Sequence, residues 1–205
     1  MEQNNEMTAQ QSLSLITETL NNSRKEITRG GGKYFILWGF LLTLFSLLVY
    51  CLWKTTDKAA WNNLWFAMPG IGFVLERIIR RKDAAGRVQN DVSRILGGIW
   101  ASFGIFAVAV SAFTVIYTQI NPNPLGTIAV VVGLTAEIVL LFGLAECISG
   151  VALKNWAIRI AGLVTGVGGL IIYYVANSDK EQLLIFTFAG IVLAVTGLIM
   201  KNQKK

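Results

Sequence analysis

The chain is predicted to be an all-α polytopic membrane protein, with six transmembrane helices in three helical hairpins and an N-terminal amphipathic cytoplasmic helix. Three observations predict it. Hydrophobic residues fill 54% of the 205 positions and charged residues only 15%, against about 25% charged in soluble domains. Six apolar runs approach the roughly 20 residues that a helix needs to cross about 30 Å of hydrocarbon. The basic residues lie between those runs and sort onto alternate sides of them.

Residues 1–33 are read as a cytoplasmic amphipathic helix followed by a glycine hinge. The stretch is polar, so it is no secretory signal, and the first apolar run is too long to be a signal core. Thr8 and Gln11 match a capping box. Leu13, Ile16, Leu20 and Ile27 fall on one stripe, which predicts a helix over residues 9–29, and Gly30, Gly31 and Gly32 supply a stop. Such a helix either lies on the membrane surface with its basic end near anionic lipid, or docks a cytoplasmic protein partner or a second copy.

Residues 34–200 are read as the bundle, with spans at 34–53, 61–79, 95–117, 125–147, 156–176 and 183–200, and residues 201–205 as a basic cytoplasmic tail. The second span is the weakest, because Asn62 and Asn63 open it, Glu76 and Arg77 close it, and Pro69 with Gly70 interrupts it. A proline removes a backbone hydrogen bond and clashes with the preceding turn, so a helix kink is expected at Pro69 and Gly70. Val88, Val92 and Ile95 at helical spacing extend the third span into the cytoplasm. The connections on the other side are short: about seven residues after the first span, the turn of residues 119–124, and residues 177–182.

Orientation follows from counting basic residues. One side carries Arg24, Lys25, Arg29, Lys33, Arg77, Arg80, Arg81, Lys82, Arg87, Arg94, Lys154, Arg159, Lys201, Lys204 and Lys205, and the other only Lys54, Lys58 and Lys180. Fifteen against three predicts both termini in the cytoplasm. Trp53, Trp61, Tyr117, Trp156 and Tyr173 mark run ends, where aromatic rings prefer the headgroup level.

Composition also removes function classes. The net charge of +6 is spread between apolar runs rather than along one face, which argues against a nucleic-acid partner. No histidine is present, so the commonest general base and metal ligand are missing; no catalytic residue, metal site or cofactor is predicted. Cys51 and Cys147 share no close spacing and read as reduced thiols. No phosphate-binding glycine loop occurs.

Ionisable groups within a membrane are costly and each is a functional hypothesis. Glu137, in GLTAEIVLLFG, stands near the middle of the fourth span. Facing inward, it would favour its neutral form and serve as an ion or proton site with hydroxyls such as Thr43, Ser46, Ser102, Ser111 or Thr165; the alternative is an interhelical hydrogen bond. Glu146 and Arg159 flank a short turn and are read as a structural ion pair. The nine residues from Glu137 to Glu146 turn them about 180° apart, so they do not form one site. Glu76 is expected to snorkel to the interface. Arg77, Arg80, Arg81 and Lys82 form a topogenic cluster that also suits anionic lipid headgroups. Gly162 and Gly166 are a small-xxx-small match for helix packing or homo-oligomer formation, and spans four and six each carry glycines seven apart, Gly143 with Gly150 and Gly190 with Gly197.

The run SLSLITETLNNSRKE, then WGFLLTLFSLLVY, a short loop, and WNNLWFAMPGIGF before a basic cluster resembles uncharacterised small multi-pass inner-membrane proteins of bacteria. The resemblance covers the first hundred residues best. It implies a bacterial plasma membrane location and carries no activity or site residue with it. The chain is therefore read as a non-enzymatic interaction or regulatory subunit, the alternative being a small transporter or channel using Glu137.

Overall fold

The computed structural model describes residues 8–82, 91–120, 124–176 and 178–202. These form seven α-helices and one 3₁₀ segment: α1 (Ala9–Thr56), the 3₁₀ segment (Ala59–Phe66), α2 (Ala67–Lys82), α3 (Asp91–Ile120), α4 (Pro124–Ala152), α5 (Trp156–Val175), the short α6 (Asp179–Gln182) and α7 (Leu184–Asn202). Among the described residues five helices are long and apolar enough to cross a membrane, within Ala9–Thr56, Val92–Tyr117, Gly133–Ala152, Trp156–Val175 and Lys180–Asn202.

The capping box forms as the sequence predicts. The Thr8 hydroxyl accepts from the Gln11 backbone N–H, and the Gln11 side chain accepts from the Thr8 N–H at 2.9 Å. The predicted stop does not form. α1 runs unbroken through Gly30, Gly31 and Gly32 for 48 residues. Three glycines cost roughly 1 kcal/mol each in helix propensity, and packing on α7 outweighs that. A Cβ at Gly32 would lie 2.6 Å from the Gly197 carbonyl oxygen, and one at Gly31 would lie 3.3 Å from Met200. The glycines are a contact surface rather than a hinge.

The same contact continues upward. Gly39 closes on Gly190, seven residues from Gly32 and Gly197 respectively, and a Cβ at Gly39 would stand 2.5 Å from the Ala194 nitrogen. A second glycine seam joins α4 to α5, where a Cβ at Gly143 would stand 2.6 Å from the Gly162 carbonyl oxygen and one at Gly150 would strike the Arg159 nitrogen at the same distance. In lipid no hydrophobic force presses helices together, so close backbone approach through small residues replaces it. The closest pairs are thus the first with the last helix and α4 with α5. Gly162 and Gly166 are spent on packing within the chain.

The second predicted span is not one continuous helix. Its first part is the 3₁₀ segment, stiffened by Asn62 donating to the Ala59 carbonyl at 3.1 Å. Pro69 sits in the first turn of α2 and does not kink it. The N–H groups of a first turn have no intrahelical acceptors, so a proline there loses nothing. Gly70 has open space around it, whereas Gly72 lies against the Trp38 ring.

Two clusters form the core. At one end Val92, Leu153, Ile158 and Met200 pack with Ile27, Phe35 and Leu96, tying α1, α3, α7 and the α4–α5 connection together. Toward the other end Val139, Ile185 and Ala189 pack with Leu42, Ile172 and Tyr173. There the Ser46 hydroxyl donates to the Leu183 carbonyl, Thr187 donates to Ser46 at 2.8 Å, and Lys180 pairs with Asp57.

Candidate functional site

Among the described residues Glu146 is the fully buried carboxylate. α4 carries it, and the glycine seam brings α5 close enough for Thr165 to donate to its Oε2 at 3.1 Å. Thr196 of α7 stands beside the same carboxylate while its hydroxyl donates to the Val192 carbonyl at 2.8 Å. Ser149, also fully buried, turns its hydroxyl back to Ala145. Glu146 Oε1 has no hydrogen-bond partner among the described residues. Three helices thus converge on one carboxylate with an open acceptor. A buried polar group normally has a partner, so an unpaired oxygen is where a proton or small cation would be received.

The predicted ion pair with Arg159 does not form. Arg159 lies against Gly150 near the helix ends, its Nε donates to the Gly150 carbonyl at 3.3 Å, and its guanidinium stacks over the Trp156 ring at 5.1 Å. A long basic side chain keeps its head toward the aqueous end, while Glu146 points inward to Thr165.

Glu137 is not interior. It stands exposed on the outer side of α4, half a turn from Glu146, as the nine-residue spacing dictates. The hydroxyls that would have joined it are engaged elsewhere: Thr43 with Gly39, Ser46 with Leu183, Ser111 with Ala107 and Thr165 with Glu146. Ser102 is exposed on α3.

Glu76 does more than snorkel. It accepts from Trp38 Nε1 at 3.1 Å and pairs with Arg80 at 2.7 Å, which fixes α2 to α1 and neutralises one member of the basic cluster. Arg77 and Arg81 are exposed; the Lys82 side chain lies outside the described residues, as do Val88 and most of the turn before Pro124.

The third feature is the N-terminal part of α1. Leu13 and Ile16 are 68% and 58% exposed, and Leu20 is exposed as well. Ile27, the last member of that stripe, packs into the core. Arg24, Lys25 and Arg29 follow the exposed stripe on the same helix. Among the described residues no group of three or more acidic, cysteine or histidine side chains is placed to hold a metal ion.

No family model matches the chain, and neither a curated protein nor a solved structure does.

Proposed function

We propose that this chain is a non-enzymatic, multi-pass protein of the bacterial plasma membrane that serves as an interaction or regulatory subunit, holding a cytoplasmic partner on the N-terminal part of α1. The observation that carries the reading is the unbroken α1. Leu13 lies 21 residues before Tyr34, where the apolar run begins, so it stands about 31 Å along the helix axis from the hydrocarbon edge. Even a 40° tilt leaves about 24 Å. At that distance lipid tails would not reach it, which favours a protein partner over the surface-lying alternative for an apolar stripe that water alone would leave unfavourable. The basic residues that follow favour an acidic amphipathic segment as the partner, seated as a helix along a helix.

The topology that goes with this reading has six crossings. Trp38 and Asp57 are 19 residues apart on α1, about 28 Å. The 3₁₀ segment starts beside Asp57, its Trp65 ring meets Phe186 at 5.2 Å, and α2 reaches Trp38 through Phe73 and Glu76. The 3₁₀ segment and α2 therefore run the length of α1's apolar part as a crossing in two pieces. Six crossings put both termini on one side, and the fifteen basic residues assign that side to the cytoplasm.

Deleting residues 1–22 tests the docking role, because this part of α1 lies before the buried contacts of Ile27 and Thr28. The shortened protein is expected to fold and to lose its co-purifying partner; partners that stay bound to the shortened chain would refute the reading.

The unpaired Oε1 of Glu146 favours one second reading, proton- or cation-coupled transport, with the coupling carboxylate at Glu146 rather than Glu137. Glu146→Gln would then abolish an ion- or pH-dependent flux in vesicles that Glu137→Gln leaves intact. Equal flux in both variants would remove this reading.

A further inference from the structure

We propose that the outer face of α4 is the interface between two copies of this chain, with Glu137 of each copy hydrogen-bonded to Glu137 of the other at the two-fold axis. Glu137 stands at the head of an exposed stripe that continues through Leu140, Leu144, Ile148 and Val151. The spacings of three, four, four and three residues make one straight seam of the kind that parallel helices share. Gly133, one turn before Glu137, has no atom within 4 Å of where its Cβ would be, so the seam is open beside the carboxyl as well.

Such a carboxyl on a lipid-facing surface is costly, and three ways of offsetting that cost are closed to it. Among the described residues its own chain does not help, since the packed side of α4 is the opposite one, where Glu146 meets Thr165. Headgroups do not help either. In the apolar run 125–147 Glu137 is 12 residues from one end and 10 from the other, at least about 15 Å from either, beyond the reach of a two-methylene side chain. Lipid tails offer no donor or acceptor.

A second copy offers both. Two chains inserted the same way are related by an axis along the membrane normal, which sets the two α4 helices parallel and brings identical residues face to face. A neutral carboxyl is at once an O–H donor and an acceptor, so it is complementary to itself. The apolar residues along the remainder of the seam then pack against their own copies.

The test is association of the full-length protein, labelled with donor and acceptor dyes, in phosphatidylcholine vesicles over a range of protein-to-lipid ratios. Wild type is expected to self-associate. Glu137→Leu, a change on the lipid-facing side that leaves the core untouched, is expected to weaken association about tenfold, and Glu137→Gln, which keeps a donor and an acceptor, to restore it. Leu144→Cys in a background lacking Cys51 and Cys147 is expected to cross-link between copies, while Ile105→Cys on the exposed side of α3 does not. A monomeric wild type, a Leu variant that associates as tightly as wild type, or a Gln variant as weak as the Leu variant would each overturn the proposal.

Discussion

Glu137 and Glu146 leave one helix in opposite directions: Glu146 is fully buried with Thr165 donating to its Oε2 at 3.1 Å, and Glu137 is exposed on the outer side of α4. The buried one has the simpler energetics. Replacing both members of a buried hydrogen-bonded pair with apolar side chains of similar volume is often neutral or stabilising, whereas removing one member leaves the other buried without its partner. The double variant Glu146→Leu with Thr165→Val is therefore expected to unfold no more easily than wild type. Thr165→Val, which leaves the carboxylate without its donor, is expected to lose about 1–3 kcal/mol. Denaturant unfolding in detergent micelles checks both, and a double variant much weaker than Thr165→Val alone would contradict this account of the site.

The glycine seams predict a contrast between glycines that the sequence does not distinguish. A Cβ at Gly39 would meet the α7 backbone at 2.5 Å, while nothing lies within 4 Å of one at Gly97. Gly39→Ala must force α1 and α7 apart and is expected to cost about 1–3 kcal/mol. Gly97→Ala gains helix propensity in open space and is expected to be neutral or up to about 1 kcal/mol stabilising. Thermal unfolding of the two variants decides it, and equal losses would mean that the seams are not where the structure puts them.

Lys154 adopts a left-handed conformation with φ 52° in the connection between α4 and α5. That conformation costs a residue with a Cβ roughly 1 kcal/mol or more. Lys154→Gly is expected to raise unfolding free energy by about that amount, and a destabilised variant would show that the lysine side chain contributes more than its strain costs.

The pairing of Asp57 with Lys180 joins the end of α1 to α6 and holds the Asp57 carboxyl below its usual range, through the hydrogen bond first and the charge of Lys180 second. A depressed acid contributes stability above its unfolded value, near 4, and that contribution is lost as pH falls through the folded value. Asp57→Asn is expected to melt slightly below wild type at neutral pH and level with it in acid. The difference is small because the pair is exposed. A gap that widens on acidification would reverse the sign and refute the pairing.

Much of this fold was legible in the sequence because hydropathy and charge are summed over long runs. The five long apolar helices, the Thr8 cap and the half-turn between Glu137 and Glu146 all follow from such counts or from spacing alone. What escaped was direction. In water the polar side of a helix identifies its outside, but in lipid the outer face of α4, with Leu140, Leu144 and Ile148, is as apolar as the inner one, so no periodicity told which glutamate was buried. The stop that Gly30, Gly31 and Gly32 signal fails for a related reason, since that signal is local and the α7 surface that overrides it lies more than 150 residues away. A proline within an apolar run signals a kink, and nothing in the sequence reveals that α2 begins at Ala67, two residues before Pro69. The seven-residue step from Gly32 to Gly39 was present in the sequence and pointed to the α7 seam once set beside Gly190 and Gly197.

The central claim is that α1 carries an apolar stripe far enough from the membrane for a protein, and not lipid, to cover it. Photo-reactive residues introduced singly at Leu13, Ile16, Leu20 and Glu18 of the full-length chain, in its native membrane, test it most directly. The stripe positions are predicted to give adducts with one cytoplasmic polypeptide and Glu18, on the opposite side of the helix, to give none. Adducts to lipid at Leu13 and Ile16, or no protein adduct at any of the three stripe positions, would contradict it.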